Sequence, residues 1–497
     1  MNIKEIEQLS FSDQMKVLKK NGNAMDFEDI EKNIMFFKNK HPILIDSDMD
    51  DYTVQEERID SNGMVVKDAA GKIVMDDVVV KRTRLVLPYA QQIVSSMVAW
   101  LYGSDISIVM EGDRSDVKAQ DAFEKLKDIL DKDVRLMSVL KEATRACGVE
   151  TRSAIQFFFD KDSDRIKADV LSYGKGYKLW RHKDDYGKVD CVITEYKRDK
   201  IIAGRLKTDV LTTDIWTAAG LKRYEGTKLV EPQKSPMNKL LFDYLEQDYS
   251  EFEFVKELIS KQDYARSQHS EVNTKIGSPS LVVYGKLKKK PKTNGGVTIY
   301  EVNVDSDYDG TKLGNARMEY LQLETAPESV KLEMTMNEND IYRFTWPDLN
   351  KLMTDMKNGN MSGQSMKLTF LQAFVKLAEK QEQHDEFVQR ALNIVRDMAA
   401  ELYPEFTGMK DLELSFEYNS ILPNSTSDLV NMLAVAVGAG ITSQENAVRI
   451  LDINTPETMQ EIRREELAKA IQTQKKTTTT AADATENDRN KEGVNGE

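Results

Sequence analysis

Residues 250–274, SEFEFVKELISKQDYARSQHSEVNT, set the hardest constraint on what this chain can fold into. The stretch reads as a helix of about 25 residues. Its apolar stripe, Phe252, Val255 and Ile259, fades after the first turns, and the second half is polar almost all round. A helix polar on every side cannot bury itself in a dry core. It bridges domains, or it packs against copies of itself in a wet assembly. A second helix is expected over 326–344, APESVKLEMTMNENDIYRF. Between the two, LVVYGKLKKKPKTNGGVTIYEVNV (281–304) reads as a hairpin with a basic, Gly-containing tip.

The rest of the chain divides around this feature. Residues 1–60 read as short acidic helical pieces, broken by HPILIDSDMDDY. Residues 61–85 alternate apolar and polar around an Ala-Gly turn and predict a hairpin. Pro88 can open a helix whose stripe is Ile93, Met97, Trp100 and Leu101, closed by Gly103. A strand, ISIVME, and a helical stretch over 115–147 follow. Residues 150–230 carry short β-patterned runs and read as an antiparallel insertion in a helical body. WPDLNKLMTDMKNGNMSGQS (346–365) has a loop's composition, with Trp346–Pro347 and Gly359–Gly363 read as a mobile connector. A long helix is expected over 366–403, with a seam at Phe370, Phe374, Leu377, His384, Val388, Leu392, Val395 and Leu402. At 1.5 Å per residue it would span about 60 Å. A small helical module occupies 425–470, and the Thr-rich remainder lacks core residues and reads as a disordered tail. The fold class is therefore α+β, mainly α. At roughly 100–200 residues per domain, 497 residues allow about three domains or one elongated molecule.

Several classes are excluded or left without support. With 69 basic and 83 acidic residues the net charge is −14, which does not suit a protein that coats nucleic acid by neutralising phosphates. No run approaches the roughly 18 apolar residues of a membrane span, and MNIKEIEQLSF has no signal-peptide core. Cys147 and Cys191 are too few for a disulfide framework or zinc cluster and read as reduced structural thiols. No Walker A, HExxH or GxSxG motif occurs, so no enzyme and no cofactor is indicated. The four histidines, His41, His182, His269 and His384, are scattered, and His384 on the helix seam reads as a core or interface residue. Asp305, Asp307 and Asp309 with Gly310 match the start of a calcium loop, but Ala316 stands where a bidentate Glu is needed. They are weak metal candidates beside the plainer reading of a solvated acidic turn. Asp46, Asp48 and Asp50 lead to Glu57 at the twelfth position, but Asp51 replaces the glycine. Lys286, Lys288, Lys289, Lys290 and Lys292 form either a solvated run or a contact for phosphate or an acidic partner.

Five segments carry a resemblance in order. They are LPYAQQIVSSMVAWLYGSDISI, then the run from SPMNKLLFDYL through the polar helix to SPSLVVYG, then ARMEYLQLETAPESVKLEMTMNENDIYRFTWPDLN. NGNMSGQSMKLTFLQAFVKLAEKQEQHDEFVQRALNIV and AGITSQENAVRILDINTPETMQEIRREE complete the series. Each is a loose pattern; their order and spacing are more specific. Over roughly 80–470 the chain resembles the portal proteins of tailed double-stranded DNA bacteriophages, of the siphovirus type. The resemblance implies a portal fold with wing, stem, clip and crown, assembled as a homo-oligomeric ring of about twelve subunits. Residues 1–249 would be wing and 250–275 the first stem helix. Residues 276–325 would be clip, 326–345 the second stem helix and 346–363 a tunnel loop. Residues 364–424 would carry the long helix and the return to the wing, 425–470 the crown, and 471–497 the tail.

Such a ring sits at one capsid vertex of the virion, having been made in the bacterial host cytoplasm. Viral double-stranded DNA is packaged and ejected through it, and it hydrolyses nothing. The implied partners are the terminase, head-tail connector proteins, and the major capsid and scaffold proteins, with no membrane. Asp348, Lys351, Asp355, Lys357, Asn358 and Asn360 would face DNA in the tunnel loop, and the five clip lysines would meet the terminase or entering DNA. The competing readings are a non-viral helical scaffold or adaptor without a DNA role and, more weakly, a metal-dependent nucleic-acid enzyme using Asp305, Asp307 or Asp309.

Overall fold

The computed structural model describes residues 3–439 except 21–24, 59, 61–63, 112–115, 203–204, 236, 277–279, 285, 295–296, 304–316, 322–326, 348–369, 407 and 420–425. Three short helices open the chain: α1 (Ile3–Ile6), α2 (Phe11–Leu18) and α3 (Phe27–Phe37). The Ser10 hydroxyl caps α2 by accepting from the Asp13 N–H. Single 3-10 turns at Pro42–Leu44 and Ser47–Met49 occupy the predicted break.

Strand β1 (Tyr52–Glu57) pairs antiparallel with β2 (Met75–Val80), Tyr52 opposite Val80 and Glu57 opposite Met75. The expected turn is present: Gly71 has φ +81° and donates to the Asp68 carbonyl, and Lys67 bridges to Ile73. The outer partner of 75–80 is 52–57, which sequence reading placed at the end of the break and among the short helical pieces of 1–60. YTVQEE has its own period-two alternation, masked by the acidic residues before it. Next come α4 (Tyr89–Tyr102), capped by Pro88 and Gly103, then β3 (Ser107–Glu111) and α5 (Val117–Asp128). A π turn, Ile129–Val134, and the left-handed Arg135 (φ +53°) separate α5 from α6 (Leu136–Glu150). The expected helical stretch over 115–147 is present and consists of two helices.

The β region contains β4 (Arg152–Asp160), β5 (Arg165–Leu171), β6 (Lys178–Lys183), β7 (Val189–Ile202), β8 (Arg205–Thr217), β9 (Gly220–Glu225), β10 (Lys228–Lys234) and β11 (Phe242–Glu246). It forms a five-stranded meander, β10-β9-β8-β7-β6, and a three-stranded sheet, β11-β4-β5. The insertion therefore runs beyond 230, because FDYLE returns to pair with β4. Strand alternation sorts the core. Cys191, Ile193 and Ile215 face Ile6 and Leu18 of the N-terminal helices, while Val192 and Leu179 face Ala154, Phe242 and Tyr244 of the smaller sheet. At the β8–β9 turn Gly220 has φ +140°, and a Cβ there would lie 1.9 Å from the Gln233 carbonyl oxygen. No other residue fits that turn without moving β10.

After a 3-10 turn at Glu253–Val255 comes α7 (Lys256–Ile276). The helix starts six residues later than 250–274 suggested, because Phe252 and Val255 are spent in the core before the first full turn. Then follow β12 (Ser280–Tyr284), β13 (Lys286–Asn294), β14 (Val297–Asn303), β15 (Arg317–Leu321), α8 (Pro327–Phe344), α9 (Leu371–Leu402) and β16 (Glu413–Glu417). The 32 residues of α9 span about 48 Å. Its predicted seam is buried at Leu377, His384, Val388, Leu392 and Val395, joined by Phe387, Ala391, Met398 and Ala399. Helix α4 is buried on nearly every side, and the Tyr102 hydroxyl and His384 Nδ1 of α9 lie 3.1 Å apart. Where α6 crosses α4, a Cβ on Gly148 would meet Met97 Cε at 2.8 Å. β16, which sequence reading missed, pairs with β3.

The final described helix, α10 (Thr426–Gly438), belongs to a separate compact unit (356–371 and 420–497) and buries Leu433. The other two predicted helices of the 425–470 module, and the tail, lie outside the described residues. No helix among the described residues is long and apolar enough to cross a membrane.

Candidate channel helices and docking strands

Helix α7 resolves the puzzle of its own sequence. Gln262, Asp263 and Ser267 are completely buried, although the stretch reads as polar all round. Buried polar groups need hydrogen-bond partners, and these find them inside their own chain. The extended segment 83–87 runs antiparallel to α7 and donates its alternate amides to α7 side chains. Leu87 N–H donates to Asp263 Oδ1 at 3.0 Å, Leu85 N–H to Ser267 Oγ at 2.8 Å, and Thr83 N–H to Glu271 Oε1 at 3.2 Å. The match is metric. Four residues of helix rise about 6.0 Å, and two residues of extended chain advance about 6.6 Å. A helix with acceptors at i, i+4 and i+8 thus serves an extended strand as a side-chain ladder.

The other Asp263 oxygen lies 2.5 Å from His41 Nδ1, both side chains are fully buried, and the ring stacks on Phe36. Tyr264 donates to Asp46 at 2.5 Å. That bond holds the Asp46 carboxyl below its usual range and pushes the Tyr264 hydroxyl up to about 12. Asp46 also accepts from the Asp48 N–H, and Asp50 pairs with Arg84. The Asp46 and Asp50 carboxylates are therefore both engaged in structural contacts. Among the described residues no group of three or more His, Cys, Asp or Glu could hold a metal.

Helix α8 lies against the adjoining face of α7. Gln262 donates to the Met334 carbonyl at 3.2 Å and accepts from Asn337 at 3.3 Å, and Arg266 pairs with Glu338 at 3.4 Å. The end of α8 is fixed by Trp346. Its ring is fully buried, and Nε1 donates to Glu251 Oε2 at 2.8 Å. Lys380 of α9 closes on the same carboxylate at 2.6 Å, and Lys376 donates to the Thr345 carbonyl at 2.9 Å. Burial pushes the Lys376 ammonium below its usual range. Trp346 is thus an anchor that ties α8 to the start of α7 and to α9, not part of a mobile connector. An indole before a proline gives no hint of this in sequence; its partner Glu251 lies 95 residues away.

The strands between the two helices form nested pairs. β12 pairs with β15, Ser280 opposite Leu321 and Tyr284 opposite Arg317. β13 pairs with β14, Lys286 opposite Asn303 and Lys292 opposite Ile299. The expected single hairpin over 281–304 is therefore two, since 280–284 takes its partner from beyond 316. Lys286, Lys288, Lys289, Lys290 and Lys292 all stand along β13 rather than at the hairpin tip, which follows Asn294. The loop residues Asp348, Lys351, Asp355, Lys357, Asn358 and Asn360 lie outside the described residues, as do Asp305, Asp307 and Asp309.

Helices α7 and α8 thus lie side by side, and the chain between them folds into two antiparallel strand pairs. The family model described as phage portal protein, SPP1 Gp6-like, matches residues 18–477. The chain belongs to this family of phage portal proteins, which form an oligomeric channel at the capsid vertex for DNA packaging. The family is structural rather than catalytic, and the adaptor reading has no support. No curated protein matches the chain.

Proposed function

We propose that this portal protein assembles as a ring of about twelve copies, with α7 and α8 as the stem and β12–β15 as the clip. The observation that carries this reading is the helix pair α7–α8, tied at its base through Glu251 and Trp346 and joined at its far end by nested strands. On this reading residues 1–249 with the long helix and return of 364–424 form the wing, and 425–470 the crown. Ejection follows the same channel as packaging. The terminase docks on the clip during packaging, and head-tail connector proteins replace it afterwards. The major capsid and scaffold proteins surround the ring in the virion vertex, after synthesis in the host cytoplasm.

The loop between Trp346 and α9 would face DNA through Asp348, Lys351, Asp355, Lys357, Asn358 and Asn360. Mixed charge suits transient contact, since strong phosphate neutralisation would hold DNA in place. The β13 lysines supply the positive charge at the clip that an acidic partner or entering DNA would meet. Electron microscopy of the purified chain with its solution mass tests the proposal. Twelve copies give roughly 0.7 MDa and a cyclic ring with an axial hole. A compact dimer or tetramer without a hole would overturn it.

A further inference from the structure

A ring built from one kind of subunit needs two different, complementary patches on each copy. The described surface offers such a pair. Among the described residues the β1–β2 ribbon has no third strand, and every residue of β1 is exposed. Register puts Met75, Asp77 and Val79 on one face, with Met75 43% and Val79 59% exposed. Acidic residues outnumber basic ones by three over 52–80. The second patch is the outer part of the β7–β8 hairpin. Neighbouring strands stop at Glu195 and Thr212, so β7 and β8 run on beyond them, over 196–202 and 205–211, paired mainly with each other. Ile201 and Leu206 stand opposite one another there, 73% and 66% exposed, and basic residues outnumber acidic ones by three over 196–211. Arg198 and Lys200 both pair with Glu225 of β9, at 2.6 and 2.8 Å, which still leaves basic residues in excess, and Lys197, 69% exposed, makes a surface pairing to Asp209 at 3.8 Å. Exposed apolar residues grouped on two such projections mark interaction sites, and opposite charge sets which meets which.

We propose that the acidic β1–β2 ribbon of one copy docks, head to tail, on the basic β7–β8 arm of the next. This rests on the ring reading above and names one of its subunit contacts. The chain suits a disulfide test, because Cys147 and Cys191 are both buried and burial pushes both thiols up, out of reactive range. Full-length Val79→Cys and Leu206→Cys chains are mixed under mild oxidation. The mixture gives a crosslinked dimer, neither chain alone does, and Tyr186→Cys at the exposed β6–β7 turn crosslinks with neither. Adding Asp77→Lys to the Val79→Cys chain lowers the yield about fivefold, the scale of one exposed ion pair.

Rings without a mixed disulfide overturn this contact and leave the portal reading standing. A mixed disulfide without rings keeps the contact and overturns the ring. Self-crosslinking of either chain at the mixture's yield means like meets like and overturns the head-to-tail arrangement. If ribbon variants form normal rings but fail to enter capsids, the ribbon's occupant is the capsid protein and the proposal falls.

Discussion

His384 shows what a residue's surroundings do to its chemistry. It lies on α9, 3% exposed, facing Tyr102. Burial, with the Lys380 charge nearby, pushes its imidazole down to about 3. The unfolded chain takes up a proton near pH 6.5, whereas the native ring stays neutral until far lower pH. The unfolded state therefore binds more protons below 6.5, and stability falls as pH falls from 6.5 toward 3. Replacing His384 with Gln should flatten that fall, by roughly 2–3 kcal/mol between pH 6.5 and 4.5. Urea melts at the two pH values check it; an unchanged difference would mean the ring is already charged in the native protein. Asp243, buried beside Arg390, has its carboxyl raised by the same desolvation, to about 7. Its contribution has the opposite sign, so the comparison must be between variant and parent.

At the scale of elements, the ladder on α7 makes a graded prediction. Ser267→Ala leaves the Leu85 amide without its acceptor and should cost about 1–3 kcal/mol. Asp263→Ala strips both the Leu87 amide and His41 and should cost about 3–5 kcal/mol, as breaking a buried pair does. Glu271 sits near the open end, half-buried, so Glu271→Ala should cost less than either. Denaturant midpoints rank the three; equal losses would show that the ladder does not act as described. The same element shows why α7 was half legible. Its helical state follows from local propensity, and its start at Lys256 follows from packing of Phe252 and Val255. The partner of its polar face lies about 180 residues earlier in the chain.

For the whole molecule the telling contrast is between a net charge of −14 and the lysines gathered on β13. An acidic body limits adhesion to DNA passing through, while a local basic strand can still hold a partner. Reversing Lys288, Lys289 and Lys290 to Glu should impair DNA packaging and leave ring assembly intact. A packaging assay beside electron micrographs separates the two, and unchanged packaging would remove the β13 lysines from the proposed docking surface.

By itself the sequence determined the helices and most strands of the described body, and the order of elements that places the chain among portal proteins. These are written in local spacing: period two on β4 to β9, the three-four-seven seam on α9, and Pro88 and Gly103 at the ends of α4. Only the tertiary structure decided that β16 closes on β3, that β11 closes on β4, and that β12 pairs with β15 rather than with its neighbour. It alone showed that Trp346 is a buried anchor and that Gln262, Asp263 and Ser267 of α7 find their partners within the chain. The reason is physical: backbone amides and carbonyls are chemically alike at every position. Sequence says which segments must find partners, and only packing in three dimensions says which partners they find.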